Sequence, residues 1–220
     1  MSPTLNRRLV AEALGTCLLL AVVVGSGIMA QRLSGGNVGL ALLANALATG
    51  CALPVLILVF GPISGAHFNP AVTLVMALRG ELGRSASLAY CLAQVAGGIA
   101  GVALAHGMFG LPLLEIGTQP RTGSALWLAE AVATAGLVFT ILGTPRAATP
   151  YAVGLYITAA YWFTASTSFA NPAVTLARGF TTSFAGIALG DVAAFALVQV
   201  AAALAAAALW RWLAAETRPA

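Results

Sequence analysis

Long apolar stretches, separated by short polar or glycine-rich breaks, dominate the hydrophobic pattern of this chain. An α-helix rises about 1.5 Å per residue, so about 20 apolar residues cross a hydrocarbon core of about 30 Å. The pattern therefore predicts six transmembrane helices, at roughly residues 9–30, 38–60, 86–108, 123–143, 149–167 and 187–213.

The hexapeptide NPAVTL occurs twice, at 69–74 and at 171–176. The segment 69–79 is too short to span, because a helix of that length rises only about 15 Å. Asparagine followed by proline is a strong helix-start signal: the asparagine side chain caps the helix, and proline fits its first position. Each copy therefore predicts a half-helix that enters the membrane and stops.

Further landmarks show that the chain is duplicated. Ala11-Glu12-Ala13 corresponds to Ala129-Glu130-Ala131, and Gln94-Val95-Ala96 corresponds to Gln199-Val200-Ala201. Each half contains three predicted spans, so the two copies must lie in the membrane with opposite orientations, which places the functional site at the midplane. We expect one channel domain over 1–220, with repeat one at about 1–115 and repeat two at about 120–220.

Opposed half-helices predict a cavity, because non-helical backbone at membrane depth must be buried in protein or line water. Asn69 and Asn171 should lie in its wall, with their side-chain oxygens used as caps and their NH₂ groups free. The preceding loops should offer backbone carbonyls as acceptors. The positive ends of both half-helices should oppose cations and hydronium, so neutral hydroxylated molecules are the expected cargo.

Composition supports a membrane protein and excludes several other classes. The chain is 60% hydrophobic and 7% charged, with a mean hydropathy of +0.95, far from a soluble domain. Its basic residues are ten scattered arginines, which gives no basic face for nucleic acid. The three cysteines fit neither a metal site nor a disulfide framework. We find no nucleophile–base pair or phosphate-binding loop, so we expect no enzyme activity, cofactor or metal.

The arginines also predict orientation. With the N-terminus inside, the outer side receives Arg32, Arg121 and Arg178. The cytoplasmic side receives Arg7, Arg8, Arg79, Arg84, Arg146, Arg211 and Arg218. This excess favours cytoplasmic termini in the inner membrane of a bacterium.

The motif SGAHFNPAVTL at 64–74 and the second NPA at 171–173 resemble the aquaporin and aquaglyceroporin (major intrinsic protein) family, over nearly the whole chain. The resemblance implies an all-α bundle of six transmembrane helices plus two re-entrant half-helices. It also implies a homotetramer with a pore through each protomer. The implied pore motifs are Asn69, Pro70 and Ala71 together with Asn171, Pro172 and Ala173.

Val174 is the most informative departure from the family, since an arginine usually follows the second NPA. The resemblance places Thr49, Ser168 and either Tyr161 or Ala159 at the same constriction, and we prefer Tyr161. Without a fixed cation or a histidine, this ring should admit solutes larger than water. Bacterial aquaglyceroporins linked to arsenic resistance also have valine here. We therefore expect glycerol-like polyols, arsenous acid, related metalloid hydroxides and water as cargo.

Four more polar residues are candidates for the site. Arg178 lies one turn beyond Val174 and is either a displaced pore arginine at the outer mouth or an interfacial residue that extends to water. The resemblance implies that Glu12 and Glu130 accept hydrogen bonds from the re-entrant loops, with a proton relay as the alternative. His67 is expected to bond loop backbone, with a pH gate as the alternative.

Two other functions are compatible with the pattern. An ion- or proton-coupled secondary transporter also uses inverted repeats and broken helices, but the spans lack a set of acids for a coupling ion. A junction or scaffold protein with a closed pore is the other alternative.

Overall fold

The computed structural model describes residues 3–215, which form eight α-helices and one short 3₁₀ helix. The helices are α1 (Leu5–Leu33), α2 (Val38–Ser64), α3 (Pro70–Leu78), α4 (Arg84–Met108), α5 (Ser124–Gly143), α6 (Thr149–Phe163), α7 (Pro172–Arg178) and α8 (Val192–Ala215), with the 3₁₀ turn at Leu189–Asp191. The predicted all-α membrane architecture is confirmed. Arg218, counted in the charge asymmetry, lies outside the described residues.

One of the six predicted spans is shorter than expected. Within the described range, five helices are long and apolar enough to cross a membrane, namely α1, α2, α4, α5 and the 27-residue segment Leu189–Ala215 that contains α8. Helix α6 has 15 residues and rises only about 22 Å. The prediction that this helix continues to residue 167 was wrong, because residues 164–171 form the second re-entrant loop instead.

The two halves pack in the same way. Helix α1 contacts α2 and α4, and its counterpart α5 contacts α6 and α8. Helix α2 crosses to α6, and the two half-helices α3 and α7 contact each other between the halves. This pattern holds the half-helices inside a ring of longer helices.

Glycines allow the closest helix approach in the first half. A Cβ atom on Gly97 would lie 2.2 Å from the Ala13 carbonyl oxygen, and one on Gly101 would lie 2.2 Å from that of Cys17. Both oxygens belong to the backbone of α1, which cannot move independently. Only glycine therefore permits this α1–α4 contact, as is common where membrane helices pack closely.

Polarity is distributed inside out compared with a water-soluble protein. Glu12, Glu130, Gln94 and Gln199 are fully buried, whereas large apolar side chains such as Leu155 cover the outside. In a bilayer this arrangement is favourable, since polar groups find partners inside the protein and apolar groups meet lipid.

Candidate pore

Both half-helices begin as the sequence predicts, with asparagine caps. The Asn69 Oδ1 atom accepts a hydrogen bond from the Ala71 N–H at 2.9 Å. The Asn171 Oδ1 atom accepts from the N–H groups of Ala173 at 3.0 Å and Val174 at 3.2 Å. Proline occupies the first turn of each helix, where its lack of an N–H group leaves one donor fewer to satisfy. The asparagine caps give partners to the N–H groups that follow.

The asparagine amides are less free than expected. The Asn69 Nδ2 group donates to the Ala170 carbonyl, and the Asn171 Nδ2 group donates to the Phe68 carbonyl, both at 2.8 Å. Each cap is therefore tied to the opposite loop, because the two loops meet where the half-helices abut. An amide carries two N–H donors, so one donor per asparagine is used in this reciprocal pair.

The loops before the asparagines hold unusual backbone conformations at matching positions. Ala66 and Phe68 in the first loop have φ angles of +50° and +49°, and Ser168 and Ala170 in the second have +51° and +47°. Thr167 also has a positive φ. Each such residue costs about 1–3 kcal/mol, so the loops need support from their surroundings.

Glu12 supports the first loop. Its carboxylate accepts hydrogen bonds from the backbone N–H groups of His67 at 2.9 Å and Phe68 at 2.7 Å. The Ser64 hydroxyl and the Gln94 amide donate to the same carboxylate. A buried anion with four donors is well compensated.

Glu130 holds the second loop in the same way. It accepts from the N–H groups of Phe169 and Ala170, both at 2.9 Å, and from the Gln199 amide at 2.6 Å. Gln199 also contacts Thr175, as Gln94 contacts Thr73. Sequence analysis missed these threonines, although they belong to the repeated hexapeptide and their identity in both copies could have pointed to a shared role.

His67 contacts a side chain rather than the loop backbone that we expected. Its Nδ1 atom lies 3.1 Å from the Thr73 Oγ1 atom, because Glu12 already occupies the nearby backbone N–H groups. His67 also lines the cavity described next. Its alternative role as a pH gate stays a prediction.

A cavity of about 650 Å³ runs past both asparagines. One end is lined by the charged residues Arg79, Glu81 and Arg146, and the other by Phe169, Val174 and Arg178. Between them the wall combines the loop residues with aliphatic side chains from several helices: Leu53, Ile57, Val72, Leu137, Ile141, Val153 and Ile157. This cavity, called the lane below, is therefore amphipathic: its wall has polar groups beside apolar side chains.

The four residues expected at the constriction belong to the wall of this one cavity. Thr49, Tyr161, Ser168 and Val174 all line it, and the hydroxyl oxygens of Thr49 and Tyr161 lie 3.3 Å apart. The buried Ser168 hydroxyl has no hydrogen-bond partner. Ala159, the alternative on α6, is exposed on the outside of the helix.

Arg178 lies at the cavity wall and is only 2% exposed. Its Nε group donates to the Ala185 carbonyl, and its guanidinium carbon lies 3.3 Å from the centroid of the Phe169 ring. The alternative that this side chain extends to interfacial water is therefore wrong, because the segment 179–191 folds over it.

A second arginine joins this group, and no motif or spacing in the sequence pointed to it. Arg121 precedes α5 in the connection between the repeats, and its guanidinium carbon lies 5.0 Å from the same Phe169 centroid. Its Nε donates to Gly186 O at 2.9 Å, and its Nη1 to Ser166 O at 3.2 Å. Burial lowers the pKa of Arg121 below its ordinary value, although a guanidinium still stays charged.

Comparisons with known proteins agree with this geometry. The sequence model described as "Major intrinsic protein" matches residues 1–150. The Aquaglyceroporin AqpS of Rhizobium meliloti (strain 1021) is 60% identical over 98% of this chain and 93% of its own length. Aquaporin A of Dictyostelium discoideum is 35% identical over 74% of this chain and 63% of its own.

A solved structure shows the same fold. The X-ray structure of the aquaglyceroporin from Plasmodium falciparum superimposes with a TM-score of 0.70 and 21% sequence identity, covering 91% of this chain and 95% of that one. With its paired NPA half-helices and the matches along its sequence, the chain belongs to the major intrinsic protein family.

Proposed function

We propose that this protein is a passive channel for water and for small neutral hydroxylated solutes: glycerol-like polyols, arsenous acid and related metalloid hydroxides. The observation that carries the proposal is the chemistry of the four expected constriction residues, which line one cavity: three bear hydroxyl groups and the fourth is a valine. Thr49, Tyr161 and Ser168 supply hydroxyl groups, while Val174 contributes only an apolar surface.

This ring suits a compact solute with several hydroxyls. A hydroxyl group both donates and accepts, so it can replace the water that a neutral polyol loses on entry. The Ser168 hydroxyl is buried without a hydrogen-bond partner, so a side-chain rotation toward the cavity would let it bind a solute without breaking a protein hydrogen bond. The aliphatic wall accommodates the carbon backbone of a polyol or the apolar side of a metalloid hydroxide.

The hydrogen bonds that Glu12 and Glu130 accept favour a channel over a coupled transporter. Each oxygen of Glu12 and Glu130 already accepts at least one hydrogen bond from a loop N–H group. These carboxylates are therefore engaged in holding backbone, not left open for a coupling ion or a moving proton. Within the part of the chain that is described, no cluster of three potential metal ligands was found either.

We also propose a homotetramer in a bacterial inner membrane with both termini cytoplasmic. The charged end of the cavity, with Arg79 and Arg146, would then face the cytoplasm, in agreement with the positive-inside rule. Arg178 would lie toward the outer mouth. The apolar outer surfaces of the helices provide area for contact with lipid or with neighbouring protomers.

Stopped-flow light scattering on proteoliposomes tests the function. We expect water, glycerol and arsenous acid to pass at rates above those of protein-free vesicles. The rates should rise linearly with solute concentration and be independent of proton or sodium gradients. The matched control is Val174→Phe, in which a larger apolar side chain should obstruct the constriction. Flux that saturates and follows an ion gradient would instead indicate a secondary transporter.

Comparable arsenous acid entry with and without the protein would remove metalloids from the proposed cargo. Osmotic permeability no higher than that of protein-free vesicles would favour the scaffold alternative with a closed pore.

A further inference from the structure

Two guanidinium groups share one aromatic ring at the end of the lane. The guanidinium carbons of Arg178 and Arg121 lie 3.3 Å and 5.0 Å from the Phe169 centroid. Both side chains are buried, with 2% and 9% exposure. Cations near an aromatic face are stabilised by the ring quadrupole, so Phe169 offsets part of the cost of bringing the two charges together.

Neither guanidinium forms an ion pair with a carboxylate in the described range of the chain, where the single ion pair joins Arg79 and Glu81. Glu130 attracts both guanidinium groups without pairing with either. The hydrogen-bond acceptors of Arg121 and Arg178 are instead the backbone carbonyls of Ser166, Ala185 and Gly186. Two buried like charges repel each other more strongly than they do in water. Since no carboxylate pairs with either guanidinium, part of their positive potential acts on an ion in the neighbouring lane.

The position of Arg121 is fixed by the connection between the repeats. The Arg121 N–H donates to the Asp191 carboxylate at 2.8 Å. Nearby, Gly117 N–H donates to Gly179 O at 2.8 Å, and Ala188 N–H donates to Gln119 O at 2.7 Å. The connection thus runs along the segment after α7 and holds the arginine behind Phe169, which itself lines the cavity.

We infer that Arg121 is a specificity-determining residue, which together with Arg178 supplies the positive potential that Val174 does not supply at its own position. Arg121 acts from behind Phe169 and does not occupy the lane. Cations and hydronium are opposed by its charge, while the constriction stays wide enough for neutral solutes larger than water. This inference rests on the proposed channel function.

Substitutions at Arg121 separate the effect of charge from that of structure. Arg121→Gln removes the charge and keeps a hydrogen-bond donor, while Arg121→Lys keeps the charge and loses the planar guanidinium. We expect the glutamine variant to raise proton and potassium leak per channel roughly tenfold, since a change of about 1.4 kcal/mol in the electrostatic barrier has that effect. The lysine variant should leak within about twofold of the wild type.

The measurement uses proteoliposomes containing the full chain, with a pH-sensitive dye for proton entry and a potassium-sensitive dye for potassium. Water permeability of the same vesicles counts the open channels. Unchanged water permeability with increased leak in Arg121→Gln, but not in Arg121→Lys, supports the inference. Equal leak in the two variants overturns it.

A loop-clamping role alone predicts a different result, namely lower water permeability and lower thermal stability in both variants without selective leak. If Arg121→Gln does not give a folded protein, Arg121→Met replaces it. Failure of both neutral variants to fold, while Arg121→Lys folds, assigns the arginine a structural role and overturns the inference. A wild-type protein that passes water but not glycerol refutes the proposed cargo and leaves this leak test intact.

Discussion

Val174 decides how much room the constriction has. It is buried at the wall of the lane beside Ser168, at the position where most family members have an arginine. Here one guanidinium lies one turn away on Arg178, a second comes from Arg121 in the connection before α5, and both lie over the Phe169 ring. We infer that this placement separates two functions that one arginine usually combines: narrowing the pore and opposing cations.

Restoring the arginine should therefore narrow the channel. We expect Val174→Arg to lower glycerol and arsenous acid permeability by roughly tenfold or more, the discrimination that small size changes produce in a close-fitting site. Water permeability should fall much less. Stopped-flow measurements on proteoliposomes check both values, with Val174→Leu as the control for added volume without charge. Unchanged glycerol flux in Val174→Arg would show that this position does not set the solute size.

Substitution of Glu130 tests whether its carboxylate holds the second re-entrant loop in place. In Glu130→Gln, the amide keeps one acceptor oxygen but turns an NH₂ group toward a backbone N–H, leaving a buried donor without a partner. Such a donor costs about 1–3 kcal/mol, so the thermal unfolding midpoint in detergent should fall and the water permeability per protein should decrease.

The matched control for this variant is Glu115→Gln. Glu115 accepts a hydrogen bond from the Thr182 hydroxyl at 3.2 Å in an exposed position, and its substitution should leave both measurements within error. Equal stability of Glu130→Gln and the wild type would contradict the supporting role.

Local sequence predicted some of the residue-level contacts and missed others for physical reasons. The asparagine caps depend on neighbours two or three positions away, so the sequence alone predicts them. The reciprocal bonds from Asn69 to Ala170 and from Asn171 to Phe68 join positions about one hundred residues apart, and Arg121 reaches Phe169 only after the connection folds over α7. Sequence spacing carries no information about such contacts.

Among the elements, the half-helices owe their position to helices that are themselves closely packed. Helix α7 has seven residues, too few to be stable alone. Its loop is held by Glu130 on α5, and its Thr175 hydroxyl is held by Gln199 on α8. Helix α6 is also shorter than its hydrophobic pattern predicted. Residues 164–167 are small or apolar enough for a span, but the chain must leave the helix there to form the second loop.

The contact of α1 with α4 provides a test at this scale. A methyl group at Gly97 would overlap the Ala13 carbonyl oxygen, so Gly97→Ala should force the two helices apart and cost about 1–3 kcal/mol, as overpacking does in other proteins. We expect a lower unfolding midpoint and less folded protein by size-exclusion chromatography. Gly83→Ala, just before α4, is the control, because a Cβ there meets nothing within 4 Å. Equal stability of the two variants would contradict the close-packing argument.

For the molecule as a whole, the inverted arrangement explains why each half contributes the same set of parts. Each loop is held by one glutamate, one glutamine and one threonine: Glu12, Gln94 and Thr73 in the first half, and Glu130, Gln199 and Thr175 in the second. The exceptions to this symmetry lie at the two ends of the lane. One end carries Arg79, Glu81 and Arg146, and the other carries Arg121 and Arg178 on the Phe169 ring. The two mouths therefore differ in charge, whereas the two loops at the centre are held by the same kinds of residue.

Charge asymmetry also predicts which mouth faces the cytoplasm. Six arginines within the described residues lie on the side of Arg79 and Arg146, against three on the other side, and positively charged loops are retained in the cytoplasm. The test starts from a variant without Cys17, Cys51 and Cys91, each replaced by serine. One exposed cysteine is then introduced, either by Ser85→Cys on the expected inner side or by Gln119→Cys on the outer side.

A membrane-impermeant maleimide added to intact cells should label the variant with Gln119→Cys and not the one with Ser85→Cys. Permeabilised cells should show both labelled, which confirms that each thiol is accessible. Preferential labelling through Ser85→Cys in intact cells would reverse the orientation. It would also turn the Arg121–Arg178 pair toward the cytoplasmic mouth, while its barrier to cations would stay the same in both directions of transit.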